Sequence, residues 1–166
     1  MFVPCCARRV TQQRREAPGP RRGAIVPLTA VLLVVLVGML AFAIDLSYAS
    51  EVESELQNVA DAAALAGAGK LQELFVQYNS PGQTNQSQIV ATATGTSAGS
   101  PTKTAQKVAS LNKAGGVTIT VPDSDVTFGY LDGSGNYTTN YTGMPNTISV
   151  TTRRDSTANG AVAMFS

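Results

Sequence analysis

Residues 24–44, AIVPLTAVLLVVLVGMLAFAI, carry no charged side chain, and nothing else in the chain restricts its folding as severely. As a helix rising about 1.5 Å per residue the run reaches roughly 31 Å, the hydrocarbon thickness of a bilayer. The competing reading is a buried core helix. A chain of 166 residues with five Phe and no Trp holds too little apolar material elsewhere to hide such a segment, so its length predicts a membrane span. Pro27 falls near the first turn, where its missing N–H is an orphan position anyway, and Gly38 is ordinary in a membrane helix. Thr29 can satisfy its hydroxyl on the helix backbone.

Charge gives the span a direction. The net charge of +1 conceals Arg8, Arg9, Arg14, Arg15, Arg21 and Arg22 against a single Glu16 before the run, leaving six basic and ten acidic residues from Asp45 onward. Positive charge is retained in the cytoplasm, so the N-terminus is expected inside and residues 45–166 outside a bacterial inner membrane, in the periplasm or beyond. The arginine cluster also suits phosphate binding, but topology already accounts for it, and no nucleic-acid partner is expected. The membrane-anchor set is Arg21, Arg22, Ala24, Leu32, Leu36 and Ile44.

Two processing alternatives attach to this segment. Ala41-Phe42-Ala43 matches an A-x-A cleavage pattern, but the apolar run and its arginine-rich leader are longer than those of a typical signal peptide. Arg21-Arg22 is followed by Gly-Ala and reads better as a positive anchor than as a twin-arginine signal. Cleavage after Gly23, as in type IV prepilins, would require by analogy a Glu five residues beyond the cut, where this chain has Leu28.

Composition removes several chemistries. There is no His, and the two cysteines, Cys5 and Cys6, are adjacent and precede the span. A vicinal pair seldom forms a structural disulfide, and the common zinc, haem and Cys/His nucleophile sites lack their residues. Asp132-Gly-Ser-Gly-Asn136 superficially resembles the D-x-S-x-S metal loop of integrin-like adhesion domains, but Asn136 replaces the second Ser and the stretch suits a hairpin turn. Asp123-Ser124-Asp125 lacks the remaining ligands of a calcium loop. No catalytic residue, cofactor or metal ligand is assigned, and no enzymatic activity is expected.

Beyond Asp45 the helical period continues. Ala49, Val52, Leu56, Val59, Ala63 and Ala66 recur at threes and fours, a narrow apolar stripe on an otherwise polar helix. From Ala60 to Lys70 the side chains are almost all small, which allows close approach of a second helix. The stripe can pack on the protein's own later helix or serve as a subunit interface; the candidate helix-packing residues are Leu56, Val59, Ala60, Ala63, Ala64 and Gly67. Glu51, Glu53, Glu55 and Asp61 read as a solvated face, because residues two apart point to different sides of a helix. Asn79-Ser80-Pro81-Gly82 stops the helix.

The remainder divides by composition. A polar stretch permits a short helix over residues 88–94. Ser100-Pro101 reads as an N-cap with Pro at the first helical position, with Ala105, Val108, Ala109 and Leu111 apolar and Gly115-Gly116 closing the segment. Then β-branched and aromatic runs at residues 117–121, 126–131, 137–141 and 147–152, separated by Gly, Pro, Asp and Asn, predict an antiparallel meander packed against the helices.

The expected architecture is α+β: a disordered basic cytoplasmic tail at 1–22, a transmembrane helix at 23–45, an extracytoplasmic helical stalk at 46–78, a polar linker with a short helix at 79–116, and a small antiparallel β region at 117–166. The residues RRGAIVPLTAVLLVVLVGMLAFAIDLSYA and ELQNVADAAALAGAGKL, with DVTFGYLD and NTISVTTRRDSTANGAVAMFS further on, resemble the TadE/TadG-like proteins of Flp (tight-adherence) pilus assembly, specifically the TadG-like branch. The resemblance implies a membrane-anchored assembly or surface-export factor, whose partners are other pilus-assembly or pilin-like proteins, with self-association through the stalk helix. Larger relatives carry a von Willebrand A-type domain that this sequence lacks, so their adhesive or metal-dependent role does not transfer. A short member and a truncated reading frame both fit; the apolar tail AVAMFS favours truncation modestly, with a terminal strand docking on the sheet as the plain alternative. The alternative function is a pilin-like structural subunit cleaved after Gly23 and assembled through its apolar helix. A tethered periplasmic enzyme is disfavoured by the missing His and exported Cys.

Overall fold

A computed structural model describes residues 25–164. The tail at 1–22 and the anchor positions Arg21, Arg22 and Ala24, with the Gly23-Ala24 junction, lie outside the described residues. The chain divides into two compact units, Met1–Leu40 and Ala41–Ser166. In the first, the described residues belong to helix α1 (Ile25–Tyr78) and every side chain is exposed, Leu32 and Leu36 among them. Among the described residues, α1 is the one helix long and apolar enough to cross a membrane. Its Thr29 hydroxyl donates to the Val26 carbonyl at 2.9 Å, which removes the cost of a polar group in that segment.

In the second unit α1 is the spine of an α+β fold. Its buried residues Val52, Val59, Ala63, Gly67, Leu71 and Leu74 step at threes and fours once past Val59, so the seam moves from the expected Ala66 to Gly67. The helix ends where the turn formers begin. Ser80 Oγ donates to the Val76 carbonyl at 2.9 Å, satisfying a carbonyl of the last turn, and Asn79 Nδ2 at 2.8 Å joins the Asn79 backbone N–H on the Phe75 carbonyl.

Helices α2 (Gln86–Thr94) and α3 (Pro101–Ala109) follow. Ser100 caps α3 as expected: its side chain accepts from Lys103 N at 3.2 Å, and Pro101 occupies the first turn. The expectation that Gly115-Gly116 closes this helix is corrected. The helix stops at Ala109, and the two glycines, at φ 55° and 75°, turn a hairpin between β1 (Lys113–Ala114) and β2 (Val117–Thr118). Positive φ at both central positions is what a tight two-residue hairpin turn requires, and glycine supplies it without strain.

The strands β3 (Val126–Leu131), β4 (Tyr137–Thr138) and β5 (Thr147–Val150) form an antiparallel sheet in the order β4-β3-β5. This corrects the simple meander, because β5 pairs with β3, placing Phe128 opposite Ile148, and does not continue from β4. The cause lies in the connection. Met144 and Pro145 are buried, drawing the chain over the core before it returns along the free edge of β3. The run 117–121 is a strand only at its start, since Ile119 and Val121 turn into the core. Ile119, Ala105, Ala109 and Ala114 are wholly buried in one cluster with the α1 seam, Ile148 and Met144.

Candidate functional site

The six helix-packing candidates separate into two groups. Val59, Ala63 and Gly67 are buried within the protein's own fold. A Cβ on Gly67 would stand 2.7 Å from Ile148 Cδ1 and 3.4 Å from both Ala105 Cβ and the Pro101 carbonyl oxygen, so the absent side chain is what lets α1 approach α3 and β5. Leu56 is half-buried, and its carbonyl accepts from Thr152 Oγ1 at 2.9 Å. Ala60 and Ala64 are also half-buried; with Gln57 and Asp61 they form one wall of an open groove of about 470 Å³ whose other wall includes Thr147, Ser149 and Tyr137. The small residues therefore serve two surfaces, one internal and one open.

Near the beginning of the second unit, the β1–β2 hairpin is held to α1 by contacts that the sequence did not reveal. Gly115 N donates to Glu55 Oε2 at 2.6 Å, and Tyr48 Oη stands 3.5 Å from the Gly115 carbonyl oxygen. Arg154 reaches the same place from the opposite side: its Nη1 donates to the Ala114 and Gly115 carbonyls, both at 3.2 Å, while Nε and Nη2 donate to Gly160 and Ala161, both at 3.3 Å. Glu55 is thus corrected from a solvated acid to a partly buried acceptor. Its partner lies 60 positions away, so no local pattern could announce it. The paired arginines were the available signal.

We expect Arg154→Ala to remove all four donations and destabilise the fold by about 1.5–3 kcal/mol, the range for hydrogen bonds from charged groups. Chemical denaturation of the detergent-solubilised protein measures it; an unchanged midpoint would assign the hairpin's position to Glu55, Tyr48 and Val52.

Arg153 forms a second link, with Nη2 2.7 Å from Asp125 Oδ1 and Nε 3.9 Å from Asp155 Oδ2. Asp155 Oδ1 also accepts from Thr157 Oγ1 and the backbone N–H groups of Thr157 and Ala158, and the Thr157 bonds lead in lowering its pKa. The Asp132 carboxylate closes the β3–β4 turn by accepting from Asn136 N and Ser134 N, each at 2.9 Å. The Asn136 backbone bond leads in lowering its pKa, and the Gln106 amide does the same for Asp123. The Asp132 turn is therefore a hairpin closure, as its composition predicts. Among the described residues, no group of three or more His, Cys, Asp or Glu side chains is placed to hold a metal ion.

The depressed values fix the sign of an acid effect. Each aspartate contributes stability above the ordinary carboxylate pKa of about 3.9 and loses it as pH falls through its lower native value. Unfolding midpoints should therefore be flat from neutrality to about pH 5 and decline below about pH 4. Asp132→Asn should reduce that decline; an identical acid limb in the variant would remove Asp132 from the account.

Two asparagines extend the sheet by imitating a strand. Asn146 Oδ1 accepts from Leu131 N at 2.8 Å while its Nδ2 donates to the Leu131 carbonyl at 2.9 Å. Asn159, at φ 61°, makes the same pair of bonds with the backbone of Thr120 and also donates to the Arg153 carbonyl. Asn159 thereby ties the segment that carries the paired arginines to Thr120.

Residues 23–70 match the Tad family model, described as "Putative Flp pilus-assembly TadE/G-like". The matched segment contains the membrane-length part of α1 and most of its buried seam, and it bears out the resemblance read from RRGAIVPLTAV and ELQNVADAAALAGAGK. The β region lies beyond the match. No curated protein and no solved structure matches the chain.

Proposed function

We propose that this chain, whose residues 23–70 are TadE/G-like, is a single-pass membrane-anchored factor of Flp-type pilus assembly or surface export. Its N-terminus is cytoplasmic and its folded region periplasmic or extracellular. It acts through packing contacts with other pilus-assembly or pilin-like proteins, and through self-association, without catalysis. The observation that carries this reading is the coincidence of the family match with a helix whose apolar part, Ile25 to Leu46, is exposed along nearly its whole length. An exposed surface of that composition in water would be strongly unfavourable, at roughly 25 cal/mol per Å² of apolar area, and lipid removes the penalty.

The positions that meet partners are Ala60 and Ala64, which face the open groove. Ala63, at 0% exposure, is already occupied by the protein's own core. Ala64→Trp is expected to reduce membrane crosslinking to partner chains and surface piliation while leaving the fold intact. Retained crosslinking and piliation would overturn the proposed contact.

Intact mass of the membrane-extracted protein, with protease added from the periplasmic face, tests the anchoring. Retention of residues 1–23 with digestion beyond Asp45 supports the anchored factor. A mature chain beginning at Ala24 would replace it with the pilin-like subunit.

A further inference from the structure

We propose that β5 takes up an added strand from a partner protein. The strand lies in the groove between β5 and α1 and carries a basic, a small apolar and a large apolar residue at alternate positions. The inference rests on the partner contact proposed at Ala60 and Ala64 and specifies the chemistry of that partner.

The hydrogen-bond register shows which backbone groups are available. Thr151 N donates to the Asp125 carbonyl at 2.8 Å, in the register that sets Ser149 opposite Thr127 and Thr147 opposite Gly129. Leu131 likewise turns both of its backbone groups toward Asn146. Thr147, Ser149 and Thr151 therefore direct their backbone groups at β3, and the alternation of an antiparallel ladder directs those of Ile148 and Val150 away from it. Because β5 ends the order β4-β3-β5, no strand among the described residues meets these groups. An edge of this kind is a template for a further strand.

The groove follows that edge. Ile148 and Val150 line it opposite Ala60, Asp61 and Ala64, whose two methyl groups leave space for a second backbone. Asp61, Ala64, Ala68, Gln72 and Phe75 recur at threes and fours, so they share one face of α1. The last three, with Leu71, Pro145 and Asn146, line a smaller cavity of about 170 Å³.

Two contacts set the level of β5 on α1. Ile148 Cδ1 stands against Gly67, and Thr152 Oγ1 donates to the Leu56 carbonyl at 2.9 Å. Eleven helical residues span roughly 16 Å and four strand residues roughly 13 Å, so the two elements run side by side in opposite directions. Val150 is thus level with Asp61, Ile148 with the stretch from Ala64 to Gly67, and Asn146 with the smaller cavity. An antiparallel occupant places residues i, i+2 and i+4 opposite these three, all facing α1. Asp61 is, among the described residues, the one charged side chain lining the groove, and ten acidic residues stand against six basic ones from Asp45 onward. Charge complementarity makes residue i a Lys or Arg. Ala64 leaves space for a small apolar residue at i+2, and Leu71, Phe75 and Pro145 receive a large apolar one at i+4.

The test uses the full chain in detergent micelles and the capped, fluorescent peptide Thr-Lys-Thr-Val-Thr-Leu-Thr, with binding read by anisotropy. We expect saturable binding. Methylating the backbone nitrogens of the peptide's Lys and Val removes the donors opposite Val150 and Ile148 and should weaken binding at least about tenfold. Asp61→Lys should weaken it about twofold to fivefold, and exchanging the peptide's Lys for Glu should restore binding to that variant. Equal affinity of the plain and methylated peptides, or no binding up to about 1 mM, overturns strand addition. Dimerisation of the chain that excludes the peptide assigns the groove to a second copy and overturns it as well. Membrane crosslinking keeps the two readings apart. If strand addition fails while Ala64→Trp still lowers partner crosslinking, the assembly contact stands without it. If the peptide binds as expected while Ala64→Trp leaves crosslinking unchanged, the docking edge stands and the assembly contact falls.

Discussion

Gly67→Leu should destabilise the folded region by about 1–3 kcal/mol or more, the cost of forcing a large side chain into a well-packed interior. The space at Gly67 is closed on three sides by Ile148, Ala105 and the Pro101 carbonyl. A leucine would have to separate α1 from both α3 and β5. The informative comparison is Gly67→Ala. The nearest atom to a methyl there is Ile148 Cδ1, the free end of a flexible side chain, while the other two stand at tight but tolerable distances. Alanine also gains about 1 kcal/mol over glycine in a helix interior. We therefore expect the alanine variant to be near neutral and the leucine variant to lose its cooperative transition at lower denaturant. Equal midpoints in the two variants would show that α1 and α3 separate without resistance and that the seam is not close-packed.

The second large effect is expected from Ile119→Ala. Ile119 is completely buried and is the largest such side chain among the described residues. It follows β2 directly and sits in the same cluster as Ala105, Ala109 and the α1 seam. Ala105 and Ala109 each carry a single methyl group on a helix, so they have little freedom to fill the vacated space. Removing the side chain should cost about 2–5 kcal/mol, the transfer free energy plus a cavity term. A loss below about 1 kcal/mol would mean that the hairpin and α3 collapse inward, contrary to close packing. Because Ala105 and Ile148, which stand against Gly67, share a cluster with Ile119, the two effects should not be additive, and a double-mutant cycle would read the coupling.

Length, apolar run and charge asymmetry were enough to place the helix that dominates the chain, because membrane-length hydrophobicity is a property of consecutive residues. Local chemistry was also legible. The Ser100-Pro101 start of α3, the Asn79-Ser80 stop of α1 and the Asp132–Asn136 turn each depend on groups within a few residues of one another. The period of three and four correctly indicated a buried face on α1, although the seam settled on Gly67 in place of Ala66 because α3 and β5 come closest there.

Tertiary structure decided what the small residues do. The same alanine-rich run supplies both an internal seam, with Ala63, and an open groove wall, with Ala64. It also decided the order of the strands, since Met144 and Pro145 gain burial by crossing the core and leave β5 on the far edge of β3. The hairpin's place beside Tyr48 and Glu55 was invisible for the same reason. It joins residues some 60 to 67 positions apart through backbone groups, which every sequence possesses alike. Sequence thus determined the membrane-length helix and the local starts, stops and turns, whose causes are adjacent in the chain. The choice of which face meets the protein itself, and which stays open, required the whole fold, because burial depends on what long-range packing brings near.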